Sequence, residues 1–434
     1  MTRPLDFFRY RNGSLCAGGT DLAEIAAAVG TPAYVYSAAG LLRPLRELQR
    51  GLAPLRESTL CYAVKSCSNI AVLKLLGDAG AGADLVSGGE LHRAGLAGIP
   101  PDRIVFSGVG KTEEEIHAGL SYGRQGIYSF HVESLQELRL IDSVAARRGR
   151  APARVAFRFN PNIDARTHPY ISTGLRRNKF GLNRAELLEA ARRARSLKST
   201  RVCGLSIHIG SQLLSLKPLK AAFASLARMV DEVESLLGHP LEFVDLGGGV
   251  GVGYDLAASR IPSLQEYTAL IVSTFGPKSP FQSRLRVLIE PGRTISANAG
   301  VLLTRVLFRK ERLARDFLIV DAGMNDLIRP ALYGSHHEVL PVRRPRGRRT
   351  MKKTDLVGPV CESSDCFGRD LKIDAGLESG DLLAILSSGA YGMSMAGNYN
   401  SRLRPAEVLV DEDGSWRVIR DREKLDDLVR GEHL

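Results

Sequence analysis

The stretch TLCYAVKSCSNIAVLKLLGDAGAGADLVSGG (59–89) decides how this chain is read. It opens on a short apolar run, TLCYAV (59–64), passes through NIAVLKLLGDAG with helical spacing, and closes on a second run, ADLVS (83–87). Two strands joined by a link that long form a βα unit of a parallel sheet, not a hairpin. The alternation continues outward to about residue 290. Further strands are expected at RIVFS (103–107), GIYSF (126–130), RVAFRFN (154–160), VCGLSIHI (202–209), LEFVDL (241–246) and LRVLIE (285–290). Segments such as KTEEEIHAGLSYG, VESLQELRLIDSVAARRG and LKPLKAAFASLARMVDEVESLLG are long enough to be the connecting helices. Eight strands in eight-fold alternation predict a closed (β/α)₈ barrel, an α/β fold, rather than an open doubly wound sheet.

After residue 297 the texture changes to strands punctuated by Gly, Asp and Pro: GVLLTRVLF, DFLIVDAG, HEVLPV, DLVGPV, DLLAILSS, AEVLVD and WRVI. No amphipathic helix of four turns stands out there, so a second, mostly antiparallel β-barrel or sandwich domain is expected. PAYVYS (32–37) near the start is assigned to it as well. The expected division is residues 38–290 for the barrel, and 1–37 with 291–434 for the β domain.

The 434 residues carry 59 Lys+Arg against 47 Asp+Glu, a formal net charge of +12, and 44 % are hydrophobic. That apolar fraction excludes a disordered or collagen-like chain. The charge is uneven: Arg343, Arg344, Arg346, Arg348, Arg349, Lys352 and Lys353 fall within 343–353 without an acid among them. No aromatic interleaves the run for base stacking, so it reads as a solvated hairpin tip rather than a nucleic-acid contact. The cysteines (Cys16, Cys61, Cys67, Cys203, Cys361 and Cys366) form no Cys-x-x-Cys pair. They point to reduced thiols and not to a zinc site. MTRPLDFFRYRNG at the N-terminus lacks an apolar signal-peptide core, and nowhere do about eighteen apolar residues run together. A cytoplasmic protein without membrane attachment is expected.

In a barrel of this kind the residues just after each strand line the active face. Lys65 follows strand one, Ser87 strand two, Asn160 strand five, His208 strand six, Gly247, Gly248 and Gly249 strand seven, and Glu290 strand eight. Lys65, delivered to the mouth and partly desolvated, is expected to act as an amine nucleophile toward a carbonyl; taken alone, it reads more readily as a structural lysine. The glycines of GGGVGVGY (247–254) let the backbone approach an anion where such barrels often bind phosphate, although tight turns use the same residues. EPGR (290–293) sets Glu290 and Arg293 at the eighth mouth, and HIGSQ sets His208 at the sixth, where a core histidine would look the same. Together these groups suggest pyridoxal 5′-phosphate, which needs a lysine for its aldehyde, an anchor for its phosphate and an electrostatic partner for its pyridine nitrogen. A carboxylate partner keeps that nitrogen protonated and favours removal of a group from the substrate Cα.

The segments YAVKSCSN, DLVSGGEL, HPYISTGLRRNKFG, HIGSQ, DLGGGVGVGY, EPGR, DAGMNDLIRPALYGSHH, GPVCESSDCFGRD and GAYGMSMAGNYNSRLRPAEVLV resemble, in order, the signature segments of the diaminopimelate decarboxylase family. That family belongs to the fold-type III pyridoxal-phosphate decarboxylases, and the resemblance extends from FFRYRNG (7–13) to AEVLV (406–410). It implies decarboxylation of meso-2,6-diaminopimelate to L-lysine, the last step of lysine biosynthesis, by a homodimer with shared active sites. By position it implies a catalytic set of Lys65, His208, Glu290 and Cys361. Lys65 would capture the cofactor aldehyde, His208 would stack on its ring, and Glu290 would pair with its pyridine nitrogen. Ser211, Gly247, Gly248 and Gly249 would hold the phosphate, with Pro291, Gly292 and Arg293 also at the cofactor and Tyr391 adding a hydroxyl. Arg293, Arg329 and Tyr333 would bind substrate carboxylates beside Tyr391, while Glu362 would meet the distal ammonium group. Cys361, as proton donor, and Glu362 would come from the partner subunit.

Elementary chemistry agrees with part of this, since a substrate with two carboxylates and two ammonium groups needs both arginines and an acid. Cys67, in SCSN (66–69), and the basic 343–353 run depart from the family pattern without touching the proposed chemistry. The rival readings are a fold-type III decarboxylase acting on ornithine, arginine or a carrier-bound amino acid, and a non-catalytic carrier of the cofactor. Arg329 and the ISTG segment favour diaminopimelate, because the distal end of ornithine has no carboxylate. Alanine racemase shares the architecture, but its family has an arginine where Glu290 stands.

Overall fold

A computed structural model describes residues 5–149, 151–164, 173–174, 178–256, 261–313, 315–344 and 350–434. The chain divides into two compact units. One comprises Pro44–Gly251 and Ile261–Thr294, the other Thr2–Arg43, Val252–Arg260 and Ile295–Leu434.

The first unit is a closed barrel of eight parallel strands: Ser58–Ala63, Gly82–Leu85, Ile104–Phe106, Ser129–Val132, Ala153–Phe159, Thr200–Ile207, Phe243–Asp245 and Arg286–Ile289. They neighbour one another in chain order, and the eighth closes on the first through Val287↔Ser58. The fourth strand starts three residues later than expected, because Gly126 takes φ +83° and Ile127 and Tyr128 still belong to the turn. Inside the barrel, Cys61, Val105, Ala156, Cys203, Phe243 and Leu288 make one fully buried layer. Gly204 leaves the room that Phe243 fills, since a Cβ there would lie 2.6 Å from its ring. Filling of this kind makes the barrel a packed core whose chemistry is confined to the strand ends.

The helices start where the sequence supplies caps. Asn69 Oδ1 accepts from Ala71 N at 3.0 Å and opens Ile70–Asp78, which fixes the chain just after Lys65. Ser87, expected at the end of strand two, caps Gly88–Leu96 by accepting from Glu90 N. Such caps satisfy N–H groups that would otherwise lack partners.

The second unit is a mostly antiparallel sheet assembled from both ends of the chain. Its central strand Gly300–Lys310 pairs antiparallel with Ala33–Ser37, Asp316–Val320 and Leu382–Ile385. Ala406–Val410 runs parallel to Ala33–Ser37, and Met351–Val357 parallel to Asp316–Val320. Two features go beyond the sequence reading: a strand Cys366–Asp374 paired with Met351–Val357, and a small sheet of Phe8–Arg11, Ser14–Ala17 and Thr20–Asp21.

Within the basic run, Arg346, Arg348 and Arg349 lie outside the described residues. Arg343 pairs with Asp21 at 3.2 Å, Arg344 lies over the Tyr10 ring, and Lys352 pairs with Asp316 and Glu311. These cations are engaged within the protein. No helix among the described residues is long and apolar enough to cross a membrane.

Candidate active site

A cavity of about 300 Å³ opens among the strand ends of the barrel, and Lys65, His208 and Glu290 all line it. Ser107, His131, Arg158, Thr173 and Ser206 share the wall. Lys65 sits in a 3₁₀ turn, Val64–Ser66, directly after the first strand. Its Nζ is 2.9 Å from Asp84 Oδ2, a fully buried carboxylate on the second strand. The amine is therefore aimed by an ion pair, and 38 % of its side chain remains exposed.

His208 follows the sixth strand, and its Nδ1 accepts from Gly248 N at 3.2 Å. That bond fixes a neutral ring, and burial with Arg158 and Lys65 nearby holds its pKa well below the usual histidine range. Thr173, one of the described residues of HPYISTGLRRNKFG, donates to His208 O at 2.9 Å; residues 168–172 and 175–177 lie outside the described set. Arg158 is held by Glu133 at 2.8 Å and lies over the Phe180 ring.

Glu290 ends the eighth strand, 8 % exposed. Burial, with Asp245 and Asp84 nearby, pushes its pKa well above the carboxylate range, against the pull of Lys65 and Arg158. Ser107 Oγ lies 3.4 Å from its Oε1, and His131 Nδ1 3.6 Å from the same atom.

The glycine turn is packed tightly against this carboxylate. Gly247 and Gly249 take φ +64° and +100°, and a Cβ on Gly248 would come 2.1 Å from Glu290 O. The N–H groups of Gly247 and Gly248 already donate to Asp245 Oδ1 and His208 Nδ1, so the turn positions those two side chains as well as shaping the cavity. Arg293 donates from Nη2 to Ser211 Oγ at 3.1 Å, bringing a cation and a hydroxyl together after strands eight and six. Pro291 O accepts from Ala63 N, and Gly292 fits against Ala63 and Ser66, which joins EPGR to the Lys65 turn.

The donor set fits pyridoxal phosphate: an amine, a flat ring, a carboxylate and an Arg–Ser pair, in a cavity at the lower end of ligand-pocket sizes. Ser206 Oγ, on the same wall, is buried and has no hydrogen-bond partner among the described residues. A polar ligand group would satisfy it.

The second unit carries the remaining predicted residues. Arg329 is 4 % exposed, lies over the Tyr254 ring and donates to His337 Nε2 at 2.9 Å. His337 Nδ1 donates in turn to Leu386 O, so a neutral tautomer orients the guanidinium. Tyr333 ends the short helix Arg329–Tyr333 and is half-buried. Cys361 and Glu362 are exposed on a loop pinned by Asp365, which accepts from Met324 N and Val360 N. Cys361 N donates to Asn400 Oδ1, and Tyr399 donates to Glu362. Tyr391 packs with Tyr254 against Val252, Ala297 and Ala390 in a left-handed conformation, φ +55°, uncommon for a tyrosine and frequent at binding sites.

Sequence reasoning missed Asp84, Ser107, His131, Arg158 and Asp245. Each is a lone polar residue in or just after an apolar strand, as in ADLVS and EFVDL, which leaves the strand pattern unchanged.

Comparison with known proteins follows the same lines. Residues 41–297 match the family model of the pyridoxal-dependent decarboxylase pyridoxal binding domain. The chain is 41 % identical to a diaminopimelate decarboxylase of Aquifex aeolicus, over 98 % of this chain and 96 % of that one. It is 45 % identical to that of Pseudomonas fluorescens, over 99 % of each. A crystal structure of the M. jannaschii diaminopimelate decarboxylase in co-complex with L-lysine is 37 % identical, with a TM-score of 0.92 over 100 % of this chain and 99 % of the other.

Proposed function

This chain belongs to the diaminopimelate decarboxylase family of pyridoxal-dependent decarboxylases, and from that membership we propose how its own residues divide the work of converting meso-2,6-diaminopimelate to L-lysine and CO₂. The observation that carries the reading is the convergence of Lys65, His208 and Glu290 on one barrel cavity. Bound there, pyridoxal 5′-phosphate supplies an aldehyde for amine capture and a ring that withdraws the electron pair released at the substrate Cα.

Lys65 provides the capturing amine, and Asp84 keeps its Nζ in place while it is unengaged. His208 presents a neutral ring face, held by Gly248 N. Glu290 faces the pyridine nitrogen, where the cation of a protonated ring favours its carboxylate form. Arg293, Ser211 and the 247–249 turn, with Pro291 and Gly292 behind them, receive the phosphate. Among substrate groups, the carboxylates go to Arg293, Arg329 and Tyr333, with Tyr391 adding a hydroxyl. Glu362 takes the distal ammonium group, and Cys361 delivers a proton to Cα. Both come from a partner subunit in a cytoplasmic homodimer.

The test is CO₂ release from meso-diaminopimelate, with and without added pyridoxal phosphate, for wild type, Lys65→Ala and Arg329→Ala. Lys65→Ala is expected to abolish both turnover and the visible absorbance of the bound cofactor. Arg329→Ala should raise KM for diaminopimelate by about 10–100-fold, the value of a lost buried charged contact. Wild-type turnover in Lys65→Ala, or faster turnover of ornithine than of diaminopimelate by wild type, would refute the assignment.

A further inference from the structure

Behind Glu290 the barrel buries an imidazole between two carboxyl groups. His131, on the fourth strand and 1 % exposed, has Nδ1 3.6 Å from Glu290 Oε1 and Nε2 3.7 Å from Asp245 Oδ2. Ser107 Oγ bridges one side, 3.2 Å from His131 Nδ1 and 3.4 Å from Glu290 Oε1. On the other side, His131 Nε2 and Asp245 Oδ2 are both buried without a hydrogen-bond partner among the described residues. Polar groups left this way in a packed core call for an explanation, because each could have been an apolar side chain like Phe106 or Phe130 nearby.

A count of charges supplies one. Asp84, Asp245 and Glu290 place three carboxyl groups here, and Lys65 and Arg158 are the cations acting on them. Lys111 and Arg158 act on His131, while Tyr267 and Cys61, both buried, face the same acids as neutral groups. With Arg158 already paired to Glu133, ionised acids would outnumber the cations in this dry interior even without Asp245, and a proton held on a carboxyl group relieves the excess. Burial pushes Asp245 up to about 7 and His131 down to about 3, so that proton rests on a carboxyl group and the imidazole between them is neutral.

We propose that Asp245, His131 and Glu290, bridged by Ser107, form a proton relay that lets Glu290 become a carboxylate without giving its proton to solvent. Glu290 O–H passes its proton through Ser107 Oγ to His131 Nδ1. The 3.7 Å gap between His131 Nε2 and Asp245 Oδ2 then closes to hydrogen-bond distance, and the Nε2–H bond breaks as its proton moves to Asp245. The imidazole changes tautomer, Asp245 becomes the neutral acid, and the total charge of the barrel interior is unchanged. His131 and Asp245 are thereby positioning residues that act on the cofactor nitrogen through Glu290, so the inference rests on the function proposed above.

Two measurements on protein loaded with pyridoxal phosphate test it without relying on turnover. Calorimetric loading in buffers of different ionisation enthalpy counts released protons, and Asp245→Asn should release about one more per site than wild type, having no second acid to keep it. A pH jump followed through the visible absorbance reads the relay rate, and His131→Gln should slow it at least about tenfold. Ser107→Ala, a milder change, should slow the same relaxation even if His131→Gln fails to fold. A wild-type proton count in Asp245→Asn, or wild-type relaxation in Ser107→Ala, overturns the relay. Failure of the wild-type protein to bind pyridoxal phosphate would instead overturn the functional reading itself.

Discussion

Lys111 offers the sharpest test of how the barrel holds its site. Its side chain is 1 % exposed, and its Nζ donates to Glu137 Oε1 at 2.6 Å, His131 O at 2.7 Å and Gly108 O at 2.8 Å. Those three bonds tie the loop after the third strand, which carries Ser107, to the fourth strand, which carries His131. Lys111→Met keeps the length and the apolar stem but leaves Glu137 and two carbonyls without their cation. Breaking a buried pair of this kind costs about 3–5 kcal/mol. At roughly 2–4 °C per kcal/mol for a unit of this size, the melting temperature of the cofactor-free protein should fall by about 6–20 °C. Circular dichroism melts near neutral pH read this directly. Replacing both partners, Lys111→Met with Glu137→Leu, should recover most of the loss, because an apolar pair carries no unmatched charge. The reasoning fails if the single variant loses less than about 1 kcal/mol, or if the double variant loses the sum of the two single losses.

Two further outcomes follow from single sites. Gly248→Ala drives a Cβ to within 2.1 Å of Glu290 O, so the turn or the carboxylate strand must move. Equilibrium dialysis should show pyridoxal phosphate bound at least about tenfold more weakly, with stability down by about 1–3 kcal/mol, and wild-type retention would contradict the packing argument. In the second unit, burial pushes Asp326 up to about 7. A carboxyl group raised in the folded state stabilises fully below its unfolded pKa of about 4, and that contribution is lost as pH rises through about 7. The melting-temperature advantage of wild type over Asp326→Asn should therefore shrink across that window, and a difference independent of pH would count against it.

The barrel was legible because buried parallel strands read as continuous apolar runs, and all eight expected runs overlap observed strands. Cys366–Asp374 was not legible. It is a partly exposed strand with Gly368 inside it and Asp370 at φ +52°, so neither alternation nor an apolar run marks it. The hairpin Phe8–Arg11/Ser14–Ala17 did carry a signal that was passed over, the Asn12–Gly13 pair with both residues at positive φ. At the site, Lys65, His208 and Glu290 could be found from their places after strands. Asp84, His131 and Asp245 could not, because one polar residue at the end of an apolar run does not change the period, and only three-dimensional closure shows that three such exceptions meet. The residues of the second unit were assigned through family resemblance, since nothing in their local pattern points to a ligand.

The strand Ala33–Ser37 is made early and partnered late. All five of its residues are buried, yet both neighbours, Gly300–Lys310 and Ala406–Val410, lie more than two hundred and fifty residues further along the chain. At roughly 5–20 residues per second, a ribosome leaves this tyrosine-bearing segment exposed for about 15–50 s before its first partner emerges. Newly made chains thus pass through an interval in which a finished barrel trails an unpaired, sticky N-terminal ribbon. During that interval the unpaired strand presents open backbone groups and buried-type side chains, the combination that invites pairing with other chains.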